Sequence, residues 1–277
     1  ECLQSAALDF NGSNQVQKLA EVAAAKVATR EDAFIGGNVL VGDDFILVGA
    51  DLFLYHENAA DFDLLAHIES LYGTEKDIIS VGNQFGVPKT QFGPFPSRNP
   101  IPHIDMFISL AGRIPSGINA GKYLLFVGEP MSTNGDFPQG GSPQDFDDVI
   151  ADILSDGRFV VCRNPITYLP DTDSPLNANR NAAPIWASAN NTLTEITSCS
   201  RTVYLPVFSS ASLKGFPEVP KRVVPSLDLI RQQDETNKRL WEEAGFEVQP
   251  VGPMLFWAAQ GGTLRCIASE LKRNLRA

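Results

Sequence analysis

The chain has 277 residues, with 22 Lys plus Arg against 33 Asp plus Glu and a formal net charge of −11 at pH 7. An acidic balance of that size repels nucleic acid and anionic membrane and favours cationic ligands, so nucleic-acid binding is set aside. No apolar run approaches the roughly 20 residues that cross a bilayer, and Cys2, Cys162, Cys199 and Cys266 lie without CxxC spacing, so neither a structural zinc site nor a disulfide framework is indicated, although one bridge stays open.

The chain begins at Glu1 rather than Met and carries no basic-then-apolar leader, so it reads as a fragment or processed product. Residues 14–29, "NQVQKLAEVAAAKVAT", place Val16, Leu19, Val22, Ala23 and Val27 near helical spacing and predict a first helix. A second is predicted over 58–73, where Phe62, Leu65, Ile68 and Leu71 recur and Gly73 closes the run. The third spans 142–157, with Ser142 as N-cap, Pro143 at the first helical position and Gly157 at the end. The fourth covers 226–245, again opening on Ser and closing on Gly. After each helix comes a short β-type stretch: "AFIGGNVLVG", "DIISVGN", "RFVVCRN" and "FEVQPVG".

A pair of apolar strands follows each of these stretches, separated by Gly, Pro or Asn turns. The pairs are "NVLVGD-DFILVGADLF", "HIDMFISL…KYLLFVGEP", "NTLTEIT…TVYLPVF" and "MLFWAAQ-GGTLRCIASEL". The predicted unit is therefore helix, strand and hairpin, repeated four times at about 70 residues each, which argues for a circular or stacked α/β array. "CLQSAALDFNG" reads as the tail of a further unit, giving five in a single domain over 1–277.

Three histidines make the census of reactive groups short. His56 falls in a loop or at a helix start, and His67 lies inside the second predicted helix, where a structural role is the better reading. His103 and Asp105 would face one side of a strand at period two, and taken alone they read as a boundary strand with two polar residues toward solvent. Cys266 differs from the other thiols because "GGTLRC" puts a glycine pair before it, which permits close approach of backbone and ligand. A papain-like triad lacks its local cysteine signature, and a metal site lacks a third well-spaced ligand, so no metal or other cofactor is expected.

Taken in order, "AFIGGNVLV", "PHIDMFISL" and "GGTLRCIAS" resemble the GGN hairpin, the HxD strand and the closing G-G-x-x-[HR]-C strand of the pentein superfamily of guanidine-modifying enzymes, which includes peptidylarginine and agmatine deiminases. "LLFVGEP" and "RTVYLPVF" resemble further repeat strands, and the likeness runs over residues 9–277. The resemblance implies a five-bladed α/β propeller with its active site on the axis. It implies Cys266 as nucleophile, His103 as general acid and base, and Asp105 as a carboxylate binding the guanidinium, with Gly36, Gly37 and Asn38 shaping the pocket wall.

A guanidinium carbon is a poor electrophile, so a thiolate is the suitable attacking group, and carboxylates pair bidentately with the planar cation. Hydrolysis would release ammonia and leave a ureido product. Peptidyl-arginine stands marginally ahead of agmatine as substrate. The alternatives are an amidinotransferase on the same fold and a non-catalytic binding protein of that fold.

Two features depart from the family pattern. The second guanidinium-binding Asp, usually in W-x-x-D ahead of the GGN hairpin, has no counterpart before Ile35, where Asp9 in "LDFNG" is the acid weighed against it; either the motif falls upstream of Glu1 or the chain is not an ordinary deiminase. Arg265 stands where many members carry His. The long loops 82–100 and 164–186 are expected to set specificity, oligomerisation is left open, and the cytoplasm is placed ahead of secretion as the compartment.

Overall fold

A computed structural model describes residues 36–56, 63–82, 90–92, 95–97, 99–169, 185–209, 227–258 and 263–267. The first hairpin joins β1 (Val39–Val41) to β2 (Phe45–Gly49), with Leu40 opposite Leu47. β2 is buried along its whole length, as its unbroken "FILV" run requires of a strand covered on both faces. Helix α1 (Ala50–His56) leaves the end of β2. Helix α2 (Leu64–Tyr72) is capped by Asp63, whose carboxylate accepts the Ala66 N–H at 3.1 Å. It stops at Gly73, whose φ of 101° is open to a residue without a Cβ. β3 (Asp77–Val81) then lies parallel to β2.

A short hairpin, β4 (Thr90–Phe92) with β5 (Phe95–Ser97), precedes the largest sheet. There β6 (Ile108–Arg113) pairs antiparallel with β7 (Tyr123–Met131), and α3 (Pro143–Ser155) crosses to β8 (Phe159–Leu169), parallel to β7. The start of α3 is fixed by a capping box: the Asp145 carboxylate accepts both the Ser142 backbone N–H at 3.0 Å and its hydroxyl at 2.6 Å. β9 (Ile185–Ala187) closes that sheet. The third sheet repeats the scheme with β10 (Leu193–Ile196), β11 (Arg201–Pro206), α4 (Leu227–Glu243) and β12 (Glu247–Val251), the last parallel to β11. Two helical turns follow, α5 (Leu255–Ala258) and α6 (Leu264–Ile267).

Hydrogen bonding groups each hairpin with the helix and strand after it, because a parallel partner is reached only through a crossover. The repeat is therefore hairpin, helix and parallel strand, the expected pattern cut at a different point of the chain, and three such units occur among the described residues. One apolar cluster around Phe45, Phe107 and Phe146 joins the first two sheets, and another around Phe126, Trp241 and Leu264 joins the second and third to α6. The predicted second helix starts later than expected, at Leu64, and the fourth ends at Glu243. The predicted helix over 14–29 lies outside the described residues.

Two expected strands are corrected. The backbone of "HIDM" is a 3-10 turn, Ile104–Met106, with His103 extended ahead of it. The Met106 N–H bonds the His103 carbonyl at 3.0 Å and the Phe107 N–H bonds that of Ile104 at 3.1 Å, so strand pairing starts only at Ile108. The terminal pair "MLFWAAQ-GGTLRC" is also no hairpin, since α5 and α6 stand in its place. Short apolar runs do not separate helix from strand by periodicity. At α6 the decisive partner is remote: the Arg265 N–H goes to the Asn191 side chain rather than to a strand.

Candidate active site

The site is assembled from three stretches that the sheets bring together: a 3-10 turn at Gly36–Asn38, the turn at Ile104–Met106, and α6. Asn38 is fully buried and accepts the Ile104 N–H through Oδ1 at 3.3 Å, which pins the first turn to the second. Gly37 faces the same place. A Cβ added there would lie 2.8 Å from His103 Nδ1 and 3.1 Å from Asp105 Oδ1, so the position has no room for any side chain. Gly37, Asn38, His103 and Asp105 are therefore neighbours in space.

Asp105 is 3% exposed, and no hydrogen bond reaches its Oδ1 among the described residues. Burial pushes its carboxyl above the ordinary carboxylate range, while Arg265, His103 and the Asn191 side chain draw it back. Arg265 Nε stands 3.7 Å from Asp105 Oδ2, which carries the C-terminal segment onto the His103–Asp105 turn across 160 residues of sequence (265 − 105 = 160). His103 is held below the usual imidazole value by burial, with Asp105 pulling the other way, so its neutral form is favoured beside the carboxyl.

The Cys266 backbone belongs to α6, next to Arg265, and its side chain lies outside the described residues. Gly36 opens the first turn, and its surroundings likewise lie outside them. Among the other candidates, His67 sits half-buried on α2 away from this cluster, and His56 ends α1. Cys162 is a half-buried thiol pushed up by burial, packed with the apolar cluster of the third sheet, and Cys199 is exposed. Most of the loops 82–100 and 164–186 lies outside the described residues. Among those described, no group of three His, Cys, Asp or Glu could hold a metal ion, and no helix is long and apolar enough to cross a membrane.

Sequence reasoning missed "SANN", residues 188–191. The Ser188 hydroxyl donates to the Met106 carbonyl, behind Asp105, and Asn191 Oδ1 accepts the Arg265 N–H at 2.7 Å. Ser188, Asn190 and Asn191 are all buried. The available signal was four small or polar residues between the apolar "IW" and the β10 strand, too polar to be buried without internal partners.

No family model matches this chain, and no curated protein matches it. Solved structures do. A candidate peptidyl-arginine deiminase matches with a TM-score of 0.55 at 12% identity, covering 95% of this chain and 65% of its own. A candidate agmatine deiminase matches with a TM-score of 0.54 at 14% identity, covering 95% of this chain and 62% of its own. This chain thus spans under two thirds of the length of either. At that identity the likeness is one of fold: this chain shares the mixed-sheet α/β architecture of those two proteins.

Proposed function

We propose that this chain is a guanidine deiminase, acting on peptidyl-arginine or a small guanidine such as agmatine, within one catalytic domain of five pseudo-symmetric blades. The observation that carries the reading is the convergence of His103, Asp105 and the Cys266-bearing turn on a position where Gly37 leaves no side chain. The fold shared with two candidate deiminases supports it.

In this reading the Asp105 carboxylate pairs with the planar cation and orients its carbon, aided by the wall formed by Gly37 and Asn38. His103 takes the proton of the Cys266 thiol, and the resulting thiolate adds to that carbon. His103 delivers a proton to the departing nitrogen, which leaves as ammonia, so that a thiouronium linked to Cys266 remains. The neutral imidazole then takes a proton from water as its oxygen adds to the same carbon. The C–S bond breaks, the thiolate is restored, and the product carries a ureido group.

The test is incubation with an arginyl peptide, agmatine and free arginine, following ammonia and ureido product together. Turnover of at least one is expected. Cys266→Ala should lower it by at least on the order of 10⁴-fold, as loss of a nucleophile does. Absence of ammonia with all three, across acidic to alkaline pH, would overturn the reading.

A further inference from the structure

We infer that Asn191 is a positioning residue, setting the Cys266-bearing turn at its working distance from Asp105. The inference rests on the deiminase reading above. Asn191 is fully buried in the segment that joins β9 to β10, and its Oδ1 accepts the backbone N–H of Arg265, the residue before Cys266, at 2.7 Å. Its backbone carbonyl accepts the same N–H at 3.4 Å. The Asn191 side chain also favours the ionised form of Asp105. One side chain thus addresses both the turn carrying the thiol and the carboxylate that would hold the substrate cation.

Asn191 can set a distance because its own segment is anchored. Asn190 and Asn164 exchange side-chain hydrogen bonds at 2.9 and 3.0 Å, and Asn190 also donates to the Phe126 carbonyl at 2.9 Å. Asn164 donates in turn to Asn237 Oδ1 on α4 at 2.8 Å. Two residues earlier, Ser188 donates to the Met106 carbonyl, fixing the turn that carries Asp105. Such a buried amide network has few alternative arrangements, since every rotation strands a donor or acceptor out of water. The segment from Ser188 to Asn191 therefore acts as a rigid spacer, with the His103–Asp105 turn fastened at one end and α6 at the other.

The test compares two electrophiles of nearly equal size on the whole protein: 2-chloroacetamidine, a cation that Asp105 can hold, and neutral 2-chloroacetamide, which reports thiol reactivity alone. The ratio of their labelling rates at Cys266, read by peptide mass, measures how well thiol and carboxylate are placed relative to each other. In the unaltered protein the ratio is expected to be large. Asn191→Ala should lower it by about tenfold or more, a loss typical of misplacement near 1 Å, with the chloroacetamide rate changed by no more than about twofold.

Asn191→Asp keeps the acceptor for the Arg265 N–H and the side-chain shape, so it decides the matter should the alanine variant not fold. With that acceptor kept, it should retain the chloroacetamide rate and most of the ratio, staying within about threefold of the unaltered protein. An unchanged ratio in folded Asn191→Ala, or a loss of about tenfold or more in Asn191→Asp, overturns the positioning role. A ratio near one in the unaltered protein, with no ammonia from any guanidine, instead overturns the deiminase reading on which it stands.

Discussion

Two buried aspartates in this molecule are treated in opposite ways. One oxygen of Asp234 on α4 is crowded with donors: Oδ2 accepts the Phe208 N–H at 2.9 Å, the Ser209 N–H at 2.7 Å and the Ser209 hydroxyl at 2.7 Å. Asp105 is no more exposed, yet its Oδ2 faces a guanidinium at 3.7 Å and an imidazole lies beside it; on both carboxylates Oδ1 is without a hydrogen bond among the described residues. Burial raises the pKa of both. Burial and a raised pKa therefore do not mark a site by themselves. What separates the two carboxylates is the partner of the other oxygen: backbone and hydroxyl donors make Asp234 a strut between α4 and the end of β11, while Asp105 stands among ionisable side chains, with a guanidinium already beside it.

The largest expected effect comes from Asp105→Asn, which keeps the shape and removes the charge. Turnover of the guanidine substrate should fall by about 10³-fold or more, since a neutral amide does not pair with the cation in the transition state. Its effect on stability should run the other way. A carboxyl whose folded pKa is raised is favoured in its neutral form, so its contribution is fully present below the unfolded value near 3.8 and is lost as pH rises through the folded value. Above that window the asparagine variant should melt no lower than the unaltered protein, and thermal denaturation at mildly alkaline pH checks this.

Asp234→Ala should reverse the pattern. Removing the acceptor strands two backbone N–H groups and a hydroxyl, a loss of about 2–4 kcal/mol measured by denaturant unfolding. The specific activity of the folded fraction should stay within about twofold. If Asp234→Ala instead abolished turnover while leaving stability intact, the distinction between strut and site would fail.

Gly37→Ala probes the same contrast from the pocket wall. The added methyl meets the His103 ring and the Asp105 carboxyl inside ordinary contact distance. Overpacking of that kind costs about 1–3 kcal/mol, and activity should drop by roughly 10–100-fold because the displaced groups are those in the site. An alanine at Gly157, where an added Cβ meets nothing within 4 Å, is the matched control and should change neither quantity.

Much of the fold was legible because its signals are local. Ser142 with Pro143 announced the start of α3, Gly73 the end of α2, and the paired apolar runs around "GDD" the first hairpin. The site was legible as residue types in order, GGN before HxD before the late Cys, and three distant turns do meet. Its backbone was not. The "HID" stretch alternates like a strand, but its ladder bonds are replaced by an i to i+3 turn and by a donation to Asn38, 66 residues away. The Asn164–Asn190–Asn237 network was invisible for the same reason, since each amide finds its partner only once the second sheet and α4 are packed. Periodicity reads what a segment does with solvent, and these groups were settled by partners remote in the chain.

The smallest expected effect concerns His103 and sharpens the view of Asp105 as a carboxylate open to a cation. Burial depresses the folded pKa of His103, so its contribution to stability is fully present above the unfolded value of 6.5 and is lost as pH falls through the folded value. The melting temperature should therefore decline on acidification below 6.5 more in the unaltered protein than in His103→Gln. Asp105 opposes this shift, because its charge favours the imidazolium. Removing that charge should depress His103 further and widen the window over which protonation opposes folding. In an Asp105→Asn background, then, the added substitution His103→Gln should flatten the acid limb by more than it does alone. An equal flattening in both backgrounds would mean that Asp105 is already screened by Arg265 and exerts no field on its neighbours.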